Sequence, residues 1–133
     1  MNEDSSVGLM IVIKPQLHGT AHQTVQGKIM AKVARGDSDD SVDCNHPCLG
    51  TTTTDGMSSN VFVNGTGVHR QDDASVTHLS GADSPICAAT HTPTIAVGST
   101  TVFANNKGVA RKDDAYNASD TVASGSDTVF AGP

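Results

Sequence analysis

The chain has 133 residues and a formal net charge of −6 with no basic run, so it is the size of one domain and poorly suited to phosphate backbones. Only 36% of it is apolar, with three Phe, one Tyr and no Trp, which disfavours a broad aromatic core. Thr, Ser, Asp and Gly fill the difference; that profile suits short strands and turns, and so thin a core needs a metal, a disulfide or a partner.

Residues 1–6 are polar. Val7 to Ile13 reads as one strand; it is interrupted by Gly8 and far too short to cross a bilayer. Its acidic, polar flank does not read as a signal peptide. The three Cys are therefore expected to be thiols or metal ligands rather than a disulfide framework. Residues 1–26 are expected to form an N-terminal extension packing on or near a repeat domain that occupies 27–133. Within the extension, His18 and His22 are separated by Gly19 and follow Pro15, which argues against a helix presenting both; they are expected to be solvated.

A short unit then recurs. Val33-Ala34-Arg35-Gly36-Asp37, Val68-His69-Arg70-Gln71-Asp72 and Val109-Ala110-Arg111-Lys112-Asp113 share one pattern. Val61-Phe62 and Val102-Phe103 precede the second and third copies, and Val129-Phe130 recurs near the end. Thr94 to Phe103 can be laid on Thr121 to Phe130 without a gap. Between Val-Phe and Val-x-Arg lie Asn64-Gly65 and Asn105-Asn106, strong hairpin signals because Asn and Gly tolerate positive φ. The first copy lacks a Val-Phe start and the last lacks a return strand, so the two are expected to pair and close a set of three hairpin-like faces. Helical apolar spacing is absent. In a strand, residues i and i+2 share a face. Arg35 with Asp37, Arg70 with Asp72, and Arg111 with Asp113 are thus expected to join neighbouring repeats through charge-assisted bonds. This is architecture rather than a site, and the Arg35-Gly36-Asp37 spelling of an integrin tripeptide is a by-product of it.

The soft metal ligands lie between the repeats. The first connection holds Cys44, His46 and Cys48; the second holds His78, Cys87 and His91. A single Cys is more often a small buried hydrophobe than a ligand. Six such residues confined to two connections of a core-poor domain point instead to a shared tetrahedral site, with zinc as its natural occupant. His69 replaces Ala34 and Ala110 of the other repeats and is a poor ligand candidate.

With these features the chain resembles the PAAR-repeat proteins, the tips of contractile injection machines. Their repeat is a Pro-Ala-Ala-Arg-like tetrapeptide following a Val-Phe-x-Asn-Gly hairpin. Phe62-Val63-Asn64-Gly65-Thr66-Gly67-Val68-His69-Arg70 and Val102-Phe103-Ala104-Asn105-Asn106-Lys107-Gly108-Val109-Ala110-Arg111 match that plan, and Lys28 to Arg35 is a looser copy. The order of Cys and His between repeats is similar to that of short phage-type members.

The resemblance implies an all-β fold, a small cone of β-hairpins with pseudo-threefold repeats, stapled by a metal at its apex. One structural zinc would be held by three His and one Cys. By position the imidazoles are His46, His78 and His91, and Cys87 is expected as the thiolate, with Cys44 and Cys48 as alternatives. Phe62, Phe103 and Phe130 are expected to belong to the repeat architecture. The implied function is that of a non-enzymatic tip in the virion's tail baseplate. One copy would cap each trimeric β-helical spike and sharpen it for piercing the target cell envelope, with no nucleic acid or small-molecule substrate. The alternatives are a bacterial type VI secretion tip, held in the bacterial cytoplasm before secretion, and a zinc-dependent hydrolase. The hydrolase would need an open metal position and a carboxylate base such as Asp73 or Asp83.

Overall fold

The computed structural model describes residues 30–133. The expected extension over 1–26, the strand at 7–13, His18 and His22 lie outside the described residues. The architecture is all-β: several small antiparallel sheets and, among the described residues, no helix. Two strands are long, β2 (Ser41–His46) and β3 (Leu49–Thr53); the others are two-residue segments.

The predicted hairpins form. β4 (Phe62–Val63) turns through Asn64 and Gly65, at φ 53° and 83°, into β5 (Thr66–Gly67). β8 (Phe103–Ala104) turns through Asn105 and Asn106, at φ 56° and 66°, into β9 (Lys107–Gly108). Two successive positive φ values suit the right-handed twist of the strands, which is why Asn and Gly stand there. The third pairing joins the two ends of the domain. β1 (Ala31–Lys32) lies antiparallel to β11 (Phe130–Ala131), Lys32 opposite Phe130, in the register that Gly67 has with Phe62.

Each unit carries the same local bonds. Ser58, Ser99 and Ser126 are buried, and their hydroxyls accept from the amides of Val61, Val102 and Val129 at 2.9, 3.0 and 2.9 Å. Their own amides donate to the carbonyls of Val68, Val109 and Val33. The backbones approach closely here, and the pairs Met57/Gly67, Gly98/Gly108 and Gly125/Lys32 each include a Gly.

The Val-x-Arg segments meet one another directly. Ala34 N donates to Ala110 O at 2.9 Å, His69 N to Ala34 O at 3.0 Å, and Ala110 N to His69 O at 2.8 Å. The ring of bonds is closed, and antiparallel bridges Arg35–Val68, Arg70–Val109 and Val33–Arg111 flank it. Successive residues of an extended chain point opposite ways, so the ring separates two apolar clusters. Val33, Val68 and Val109 enter one, with Val63, Ala104 and Ala131, and with Val61, Val102 and Val129 packed against it. Ala34 and Ala110 enter the other, with Val42, Ile95, Tyr116 and Val122. His69 takes the place of a third Ala and remains buried: its ring bonds Gly56 O through Nδ1 at 2.6 Å and the Tyr116 hydroxyl through Nε2 at 2.9 Å.

One expectation is corrected in part. Asp37, Asp72 and Asp113 are not the partners of their arginines. They are exposed turn residues at φ 52°, 72° and 77°, a backbone region Asp tolerates better than most side chains. The turn reverses the chain, so a later acid faces the guanidinium. Arg35 pairs with Asp40, Arg70 with Asp73 and Arg111 with Asp114. The arginines do reach the next unit: Arg35 Nη1 donates to Asn64 Oδ1, Arg70 Nη1 to Asn105 Oδ1, and Arg111 Nη1 to Gly132 O. Two of the three phenylalanines of the repeat units stand at the surface. Phe62 and Phe103 are 57% and 58% exposed and Phe130 is half-buried, because alternation turns their neighbours Val63, Ala104 and Ala131 inward.

Candidate metal centre

Three connections between the repeats converge on the far side of the second apolar cluster. In β2, Val42 and Cys44 share one face, since side chains alternate along a strand; Val42 is in the cluster and Cys44 is fully buried. The register shifts between Asp43 and His46, with Asn45 at φ 57°, and His46 follows this irregularity. β10 (Thr121–Val122) pairs with β2, Thr121 opposite Asp43, which brings Asp120 alongside Cys44. The Ser119 hydroxyl donates to Cys44 O and fixes this approach. β6 (His78–Leu79) and β7 (Thr90–His91) form the remaining pair, with His78 directly opposite His91. A bridge from Thr54 to Ser75 ties this hairpin to the end of β3.

The result is a compact donor set. One ligand atom from each of Cys44, His46, His78 and Asp120 lies within 4.8 Å of every other, and the group could hold a metal ion. His91 stands beside it, Nε2 2.9 Å from His78 Nε2 and 3.9 Å from Asp120 Oδ1. The His46 and His78 rings are stacked at 5.6 Å between centroids, and His91 meets both edge-on.

Left to itself, the set is poorly satisfied. His78 Nδ1 lies 2.7 Å from Val76 O, a carbonyl that can only accept, so Nδ1 carries a proton. Nε2 faces Asp120 Oδ2 at 2.8 Å. His46 Nδ1, His46 Nε2 and Asp120 Oδ1 are buried with no hydrogen-bond partner. Each such group costs about 1–3 kcal/mol. A cation among them would meet the carboxylate, turn the lone pairs into ligands and leave Val76 O as the outer partner that orients His78, a usual arrangement around metal-bound imidazole.

The electrostatics point the same way. Burial, helped by the Asp120 carboxylate, pushes the Cys44 thiol up to about 11, so it is neutral at pH 7 unless a positive charge arrives. A coordinated cation removes that proton outright. Burial also holds the His91 pKa below its ordinary value, with His78 and His46 acting in the same sense and Asp120 opposing. His91 is thus kept neutral and able to offer a lone pair.

Of the expected ligands, His46 and His78 are in the group and His91 is next to it. Cys87 is not a ligand: it forms a disulfide with Cys48, with Cα atoms 5.4 Å apart. Both lie at hairpin tips, β2–β3 and β6–β7, that meet in space, and a disulfide sulfur is no longer a thiolate donor. The expectation that the cysteines would avoid a disulfide is corrected with it. The thiol of the group is the alternative Cys44, the free cysteine. Asp120 escaped the sequence reading because only His and Cys were counted and its connection, 114–124, holds neither; a carboxylate is an equally ordinary zinc ligand. No family model matches the chain, and no curated protein is significantly similar to it.

Proposed function

We propose that this chain is a PAAR-like tip, a structural cap in which three repeats wrap one pseudo-threefold axis and a zinc ion stiffens the apex. The observation that carries this reading is the closed ring of backbone bonds among Ala34, His69 and Ala110. A chain that meets itself in a ring of three similar segments offers three similar outer faces. A homotrimeric spike has one axial end, and one such monomer covers it.

The two ends differ as a cap requires. Phe62 and Phe103 are exposed beside the first apolar cluster, where contact with the spike would bury them and cover its open strand edges. The opposite end carries the metal group. Zinc suits Cys44, His46, His78 and Asp120 because it accepts sulfur, nitrogen and oxygen donors in a tetrahedron. Four protein donors leave no position for water, so the ion is structural and no hydrolysis follows. We place the tip in a phage tail baseplate, its narrow end meeting the target envelope.

The test is to co-express the chain with a trimeric β-helical spike and measure stoichiometry and metal content together by native mass spectrometry. One chain and one zinc per trimer is expected. Three chains per trimer, or a metal-free complex of equal stability, overturns the reading.

A further inference from the structure

We propose that the Cys48–Cys87 disulfide is a redox-controlled clasp over the metal centre, closed when oxidised and releasing the ion when reduced; the inference rests on the metal reading above. The disulfide joins the tips of the two hairpins whose strands supply Cys44, His46, His78 and His91. Cys48 is two residues beyond His46. Cys87 belongs to the 80–89 loop, and that loop lies directly on His46: a Cβ added to Gly81 would sit 3.3 Å from His46 Nδ1 and 3.3 Å from Pro47 Cδ. The loop therefore covers the imidazole whose two nitrogens are buried without partners.

The loop is pre-shaped. Asp83 accepts from the amides of Ala88 and Ala89 at 3.2 to 3.0 Å, Ile86 N donates to Asp83 O, and Gly81 takes φ 73°. Apart from these internal bonds it has little to hold it down; Ser84, Pro85 and Ile86 are exposed, Ile86 by 75%. The apolar clusters include no residue of the loop. The covalent link is thus its main attachment over His46. A dithiol reductant, taking the disulfide to two thiols with two electrons and two protons while forming its own disulfide, frees the loop to lift and lets water and competing ligands reach the ion.

The experiment compares zinc-loaded wild type with the Cys48→Ser/Cys87→Ser variant, following zinc transfer to a chromogenic chelator without any reductant present. Release is expected to be about ten- to a hundredfold faster in the variant, the range seen when outer partners of metal ligands are lost. As a second arm, the wild type is reduced by a phosphine that binds zinc weakly and then reoxidised; fast release on reduction and slow release on reoxidation are expected even if the double variant folds poorly. Equal release rates in oxidised and reduced wild type overturn the clasp and leave the metal site standing. Oxidised wild type that takes up no zinc overturns both.

Discussion

Two groups of buried polar side chains sit on opposite sides of completion. In the Arg–Asp pairs every carboxylate is met from several directions: Asp40 receives Arg35 Nε at 2.9 Å, Nη2 at 3.0 Å and the Arg35 amide at 2.7 Å, with the Ser124 hydroxyl besides. Asp73 receives the same three bonds from Arg70. In the other group Asp120 keeps one oxygen unmet and His46 keeps both nitrogens unmet. Both groups are desolvated, so the difference lies not in burial but in supply. The first brings its own counter-charge in the chain; the second is a group that could hold a metal ion. A satisfied buried charge network is architecture, whereas an unsatisfied one of mixed soft and hard donors marks a binding site.

The largest expected effect separates the two groups outright. Removing the metal with a chelator should lower the unfolding free energy by about 4 kcal/mol when the loaded reference holds free zinc a thousandfold above its dissociation constant. His46→Ala, His78→Ala and Cys44→Ser should abolish that increment, as read by thermal denaturation with and without zinc. A chelator-insensitive midpoint would mean that the two groups do not differ.

Next comes the Arg–Asp side. Arg35→Met leaves the Asp40 carboxylate, whose side chain is only 1% exposed, without its cation. About 3–5 kcal/mol should be lost in urea denaturation, with zinc content unchanged. Burial alone would raise the Asp40 pKa, and the bonds from Arg35 and Ser124 overcome it, so the net shift is downward. That stability is present above the ordinary carboxylate range and is lost as pH falls through it. In Arg35→Met the unfavourable burial is no longer offset, and acid unfolding should begin at higher pH.

The pH response of the repeat ring is smaller. Burial lowers the His69 pKa below 6.5, only partly opposed by its bond to Gly56 O and by Asp73 and Asp40, while Arg70 adds to the lowering. Below 6.5 the unfolded chain takes up a proton that the folded chain refuses, so stability falls as pH falls. Each unit of depression contributes about 1.4 kcal/mol. His69→Gln, which keeps hydrogen-bonding capacity but does not titrate, should flatten the stability profile between about pH 5 and 7 relative to wild type. An unchanged slope would place the titration elsewhere.

The smallest effect is expected at the surface. Lys32 and Asp127 form a 2.8 Å pair with side chains 41% and 87% exposed. Asp127→Asn should leave the thermal midpoint unchanged, since solvent screens such pairs. A clear drop would show that the β1–β11 seam depends on charge as well as on its backbone bonds.

Much of the repeat fold was legible locally. Asn64-Gly65 and Asn105-Asn106 announce turns because few residues accept positive φ, and the leftover half-repeats at the two ends announced the β1–β11 pairing. The Arg-x-Asp reading placed the arginines between units but missed Asp40, Asp73 and Asp114, because extended geometry was assumed where the chain turns; Asp37, Asp72 and Asp113 occupy the turn itself. His46 and His78 were found because His and Cys cluster in the connections.

Residue type and spacing, then, determined the hairpins, because turn chemistry acts over a few neighbouring residues, while the joining of the ends and the grouping of the His-bearing connections followed from counting the repeats. Only the folded chain decided that Cys48 meets Cys87, that Cys44 is left as the thiol and that Asp120 joins the group. Those choices depend on which distant side chains the β2–β10 register carries to the β6–β7 hairpin, and a register across more than 70 residues is set by packing, not by local pattern.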